Sequence, residues 1–107
     1  MADNRHIVCR VDDLVEGKGE SFIVQGQRVA VFKVDGEFFA LEDRCSHANA
    51  PLAGGYVHVR EKCVICPWHG AEFDLKTGGV LAPPACEDIQ AYSLFQEGEE
   101  LSIELPV

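Results

Sequence analysis

Long apolar runs are missing from this chain. No stretch of the 107 residues approaches the roughly 18 apolar residues of a membrane-spanning helix, so no membrane partner is expected. Residues 1–10 hold no apolar core of the signal-peptide kind, and the expected location is the cytoplasm. Basic residues are scarce: 9 Lys and Arg against 18 Asp and Glu leave a net charge of −9. That argues against nucleic acid, whose phosphates need a basic footprint. It suits solubility and attraction toward a basic protein surface. Helical periodicity beyond a single turn is absent, as are internal repeats and low-complexity segments. An even cysteine count is also missing. Five cysteines, without a signal-peptide pattern, do not suggest a disulfide framework. What is present, 47% hydrophobic and 25% charged residues, is the composition of one soluble domain spanning residues 1–107.

The pattern along the chain is short strands punctuated by Gly and Pro. Residues 6–11 place Ile7, Cys9 and Val11 on one side at period two, which predicts a half-buried strand. Asp12 to Glu20 reads as an acidic loop, followed by strands over 21–24 and 28–34 joined through Gln25-Gly26-Gln27. Asp35-Gly36 predicts a two-residue hairpin leading into Glu37–Leu41. Tyr56 to Ile65 returns as a strand or a hairpin with Arg60-Glu61-Lys62 at its tip. Ala71–Leu75 alternates, Lys76–Gly79 is a turn, and Val80–Ala85 is a stiff extended segment. Ile89–Phe95 and Leu101–Leu105 complete the strands, with an acidic tip at Glu97, Glu99 and Glu100. Together these predict an all-β sandwich or small barrel.

Two stretches carry chemistry: Cys45-Ser46-His47 and Cys66-Pro67-Trp68-His69. Each joins a thiolate donor to an imidazole, and residues 48–65 give the chain room to run out and return between them. Two Cys and two His are the ligand set of a [2Fe–2S] centre with sulfur on one iron and nitrogen on the other. They are also a tetrahedral zinc set, but zinc fingers usually pair Cys with Cys and His with His. Mixed pairs suit a binuclear cluster, because each loop gives one ligand to each metal. Zinc in an interaction module remains the competing reading at this point.

The segments Cys45–Leu52 and Cys66–Asp74 resemble the two cluster-binding boxes of Rieske-type ferredoxins, and Thr77–Ala85 resembles the proline-bearing loop that covers the cluster. The likeness extends over nearly the whole chain. It implies a Rieske-type antiparallel β-sandwich with a small inserted cluster-binding subdomain at about residues 43–85. It implies one [2Fe–2S] cluster, with Cys45 and Cys66 on the inner iron and His47 and His69 on the outer. The function implied is that of a monomeric one-electron carrier, not itself an enzyme. It would pass electrons from a flavin-dependent ferredoxin reductase to a terminal Rieske non-haem iron oxygenase, as in aromatic-ring-hydroxylating dioxygenase systems. A small Rieske subunit of a nitrite reductase is the alternative within the same chemistry.

Two departures from respiratory-chain Rieske proteins stand out. Their extra disulfide-forming Cys positions correspond here to Ala50 and Trp68, and their Ser hydrogen-bonded to a cluster sulfide corresponds to Ala71. Fewer hydrogen bonds to sulfur predict a reduction potential near the bottom of the Rieske range. Trp68 is either a docking contact or packs on Pro83-Pro84. His6 and His58 read as surface residues, and Cys9, Cys63 and Cys86 as core thiols.

Overall fold

A computed structural model describes residues 5–44, 52–66, 70–82 and 88–105. Its strands are β1 (Arg5–Arg10), β2 (Lys18–Val24), β3 (Gln27–Val34), β4 (Glu37–Glu42), β5 (Tyr56–His58), β6 (Cys63–Ile65), β7 (Glu72–Asp74), β8 (Val80–Ala82), β9 (Ala91–Glu97) and β10 (Glu100–Glu104). They form a six-stranded sheet in the order β1-β10-β9-β4-β3-β2 and a four-stranded sheet in the order β5-β6-β7-β8. Every pairing between these strands is antiparallel. The small sheet is one continuous stretch of chain inserted between β4 and β9, which are themselves neighbours in the large sheet. The predicted all-β architecture is therefore observed.

Strand β3 is apolar on both faces, for a reason visible in its packing. Val29 and Val31 join Cys9, Val24, Ala40, Leu101 and Ile103 in one core. Ala30, Phe32 and Val34, which alternate with them, point into a second core with Leu41. That second core also takes Leu52, Val57, Val64, Phe73 and Leu75, so it joins the inserted sheet to the large one. Period-two alternation between two cores makes a continuous apolar run instead of an amphipathic strand.

The tight turns follow their residues. Gln25-Gly26 and Asp35-Gly36 both have positive φ at both positions (51° and 81°, 54° and 78°), the geometry of two-residue hairpins that match strand twist. The Glu16 carboxylate accepts from the backbone N–H groups of Asp35 and Gly36 and holds the second turn. Of the strand and hairpin alternatives for 56–65 the hairpin is observed, and its tip spans residues 59–62, one residue longer than the expected 60–62. There Lys62 adopts φ +55° and pairs with Glu37. The acidic tip between β9 and β10 is exposed.

Three expectations require correction. Ile7 and Cys9 do not share a face: Ile7 is 63% exposed and Cys9 is buried. Ile7 pairs with Ser102 and Cys9 with Leu101, so Val8 is an extra residue in the ladder, and one extra residue moves its flanks to opposite faces. The loop expected to reach residue 20 ends earlier. After a 3₁₀ turn at Val11–Asp13, β2 already starts at Lys18, and Gly19 belongs to it as the partner of Phe32. Finally, β9 starts at Ala91 rather than Ile89. Ile89 is buried in the second core, and its N–H donates to the Gly78 carbonyl at 2.9 Å instead of to a strand.

Candidate metal centre

Of the four expected ligands, Cys66 lies within the described residues; Cys45, His47 and His69 lie outside them, as do Trp68 and Cys86. Cys66 follows β6 directly. Its backbone N–H donates to the Ala71 carbonyl at 2.7 Å, and its carbonyl accepts from Gly70 at 3.1 Å. Gly70 makes the return with φ +79°, a conformation that costs glycine little. These two bonds close the base of the second box on the end of the β6–β7 hairpin.

The Cys66 thiol is 1% exposed and not in a disulfide. It shares the joining core with Leu52, Val57 and Ala71. An open cleft of about 820 Å³ runs past it, walled by Gly54, Gly55, Tyr56, Ile65, Cys66 and Gly70. A sheltered sulfur outside any disulfide, at a hydrogen-bonded hairpin end with room beside it, fits a metal–sulfide group. The soft donor set also fits: thiolate with imidazole suits iron–sulfur chemistry.

The other described cysteines are separated from this role. Burial pushes the Cys9 thiol up to about 11, with Asp13 adding to the effect. Burial also raises that of Cys63, followed by the charges of Glu72, Glu61 and Asp74. Both stay protonated at neutral pH and are weak ligands and nucleophiles. This agrees with their reading as core thiols. His58 lies 3.4 Å from Glu61 at a half-exposed position, a surface residue as expected.

The first box is gripped at both ends, by a residue to which the sequence assigned no role. Asp43, wholly buried, precedes the box. Its Oδ1 accepts from the N–H groups of Leu52 and Ala53, at 2.8 and 2.9 Å, where the chain comes back. Beside it, Glu42 accepts from Arg44 Nε at 2.7 Å and from the Gln90 N–H at 3.1 Å. The only local signal for Asp43 is an acidic residue that ends an apolar strand.

Gly55 links the two boxes. Its N–H donates to the Leu52 carbonyl at 2.9 Å, and a Cβ there would lie 2.3 Å from the Ile65 carbonyl oxygen. Backbone against backbone has no soft way out. Gly55→Ala is expected to push β5 from β6 next to Cys66 and to cost about 1–3 kcal/mol, as overpacking does. Chemical denaturation checks this, and a variant as stable as the parent refutes it.

The sequence matches the family model described as "Rieske [2Fe-2S] domain" over residues 4–93. The chain is 42% identical over 103 residues to the 3-phenylpropionate/cinnamic acid dioxygenase ferredoxin subunit of Escherichia coli (strain K12). That alignment covers 96% of this chain and 95% of the relative. Its fold is similar to the ferredoxin of carbazole 1,9a-dioxygenase from Nocardioides aromaticivorans IC177, with TM-score 0.88, 31% identity, and coverage of 92% and 95% of the two chains. It is also similar to a chain in a complex of reduced oxygenase and oxidised ferredoxin in carbazole 1,9a-dioxygenase, with TM-score 0.84, 25% identity, and coverage of 96% and 94%. The chain thus belongs to the Rieske [2Fe–2S] family, and it is an electron carrier built around one such cluster.

Proposed function

We propose that this ferredoxin takes single electrons from a flavin-dependent reductase and delivers them to a terminal Rieske non-haem iron oxygenase that acts on an aromatic compound. Cys45 and Cys66 hold one iron, and His47 and His69 hold the other. Residues 43–85 form the cluster-binding subdomain of a single domain, and the protein works as a cytoplasmic monomer. The cluster supplies reversible one-electron chemistry. The chain supplies a sheltered thiolate at a hydrogen-bonded hairpin end and an acidic exterior for steering toward a basic partner.

The observation that carries this reading is the sheltered Cys66 thiol at the closed base of a box that reads Cys-Pro-Trp-His. Support for the oxygenase as recipient is the ferredoxin-subunit name of the relative above, aligned end to end. Low-temperature electron paramagnetic resonance after dithionite reduction tests the centre. A Rieske-type signal is expected, and silence with bound zinc overturns the reading. Mixing the purified protein with a flavin reductase and NADH tests the role: bleaching of the visible bands, reversed by an oxidised oxygenase, is expected.

Ala71, which corresponds by resemblance to the sulfide-bonding Ser of respiratory-chain Rieske proteins, is buried, and its side chain has no donor. The reduction potential is therefore expected near about −150 mV, at the bottom of the Rieske range. Protein-film voltammetry checks this, and a midpoint well above zero at neutral pH refutes it.

A further inference from the structure

We propose that Asp43 is a positioning residue for the iron–sulfur site. It ties together the two ends of the segment that carries Cys45 and His47, and its buried charge, countered by Arg28 and hydrogen-bonded by Ser21, sets how readily the site accepts an electron. This rests on the electron-carrier reading above.

Asp43 is the one fully buried charged side chain among the described residues. A carboxylate in that position is tolerated only when hydrogen-bonded and paired. Oδ1 is satisfied by the N–H groups of Leu52 and Ala53, and Oδ2 by the Ser21 hydroxyl at 2.6 Å. The Asp43 N–H donates to the Arg28 carbonyl at 3.1 Å. One side chain thus ties the end of β4, the β2–β3 hairpin and the returning end of the first ligand loop together.

Its countercharge is incomplete. The Arg28 guanidinium stands 3.8 Å from Oδ2, at the outer limit of an ion pair, and its side chain is 48% exposed. Solvent weakens the Arg28 charge, while the carboxylate lies in the low-dielectric interior, where a charge acts over longer distances. Only two peptide units separate Asp43 from Cys45, at most about 7 Å between Cα atoms. A fixed negative charge so placed opposes the arrival of an electron. The groups that neutralise it favour that arrival.

Opposite signs follow for substitutions on the two sides of this pair. Asp43→Asn keeps the shape and the Oδ1 acceptor but removes the charge, so the potential rises. Arg28→Gln and Ser21→Ala leave the carboxylate less neutralised, so the potential falls. Each shift is expected to be at least about threefold in the reduction equilibrium, about 28 mV at 59 mV per tenfold for one electron. Arg10→Gln, which breaks the exposed pair with Glu99, serves as the control and moves the potential less than any of them.

The test is voltammetry of the purified holoproteins, with paramagnetic resonance confirming unchanged ligation. Shifts of opposite sign support the proposal. Unchanged potentials, or shifts of one sign in all three variants, overturn it, because a merely structural clamp gives no reason for a sign reversal. If Asp43→Asn fails to hold the cluster, Arg28→Gln and Ser21→Ala decide the matter by whether both lower the potential beyond the control. A parent protein with no Rieske signal instead defeats the electron-carrier reading itself.

Discussion

Cys66→Ser is expected to abolish the Rieske spectrum of the isolated protein, while Cys63→Ser, three residues away, leaves it intact. Both thiols are buried, so burial alone does not distinguish them. Register does. Cys63 lies inside β6, paired with His58 on one side and Asp74 on the other, with its Sγ 3.9 Å from Glu72 Oε1. Cys66 lies one residue beyond the strand, where the hairpin closes on itself through Gly70 and Ala71. A serine hydroxyl at 66 is a hard donor that stays protonated at neutral pH, a poor substitute for thiolate on iron. The core formed by Cys9, Val29, Val31, Leu101 and Ile103 does not include Cys66, so the large sheet is expected to remain folded by circular dichroism.

The histidines should respond differently. His47→Cys or His69→Cys replaces a neutral ligand by a thiolate, and the potential is expected to fall toward the roughly −400 mV of all-cysteine plant-type clusters. The optical and magnetic spectra should change with it. Unchanged spectra in Cys66→Ser, or in either histidine variant, would falsify the ligand assignment and the electron-shuttling role built on it.

The legible parts of this molecule are those whose cause is local. Asp35-Gly36 fixes its turn because both residues tolerate positive φ, and the strands on either side need nothing more. The alternation of Ala71, Phe73 and Leu75 places all three in the joining core, as a period-two pattern demands. The family is legible in the two boxes because mixed Cys and His pairs have few other uses. What stayed hidden depends on distant chain. The exposure of Ile7 follows from a bulge set by pairing with β10, near the other end of the sequence. Gly19 sits in a strand because the Phe32 ring fills the space its side chain would need, 2.5 Å from a Cβ there. Asp43 acquires its role from residues 21, 28, 52 and 53 at once, and no spacing rule connects those positions.

The joining core makes the cluster seat depend on the fold beneath it, and Phe73→Ala is where this should be plainest. Phe73 is fully buried on β7 and stands opposite Val64 of β6 and Val80 of β8. It belongs to the same core as Phe32 and Leu41 from the large sheet and as Leu52, Cys66 and Ala71 around the two boxes. Truncation removes a ring from between the sheets, and close-packed neighbours relax only partly into the gap. The expected cost is about 3–5 kcal/mol. For a domain of this size that lowers the melting temperature by roughly 15–30 °C. Because Cys66 shares the core, visible absorbance should fade no later than the far-ultraviolet signal as the protein is heated. Ile23→Ala, at a position 75% exposed, is the matched comparison and should stay within about 0.5 kcal/mol of the parent. If Phe73→Ala were no less stable than Ile23→Ala, the two sheets would not be held together by this core. If it unfolded early but kept its colour, the seat of Cys66 would be independent of the fold beneath it.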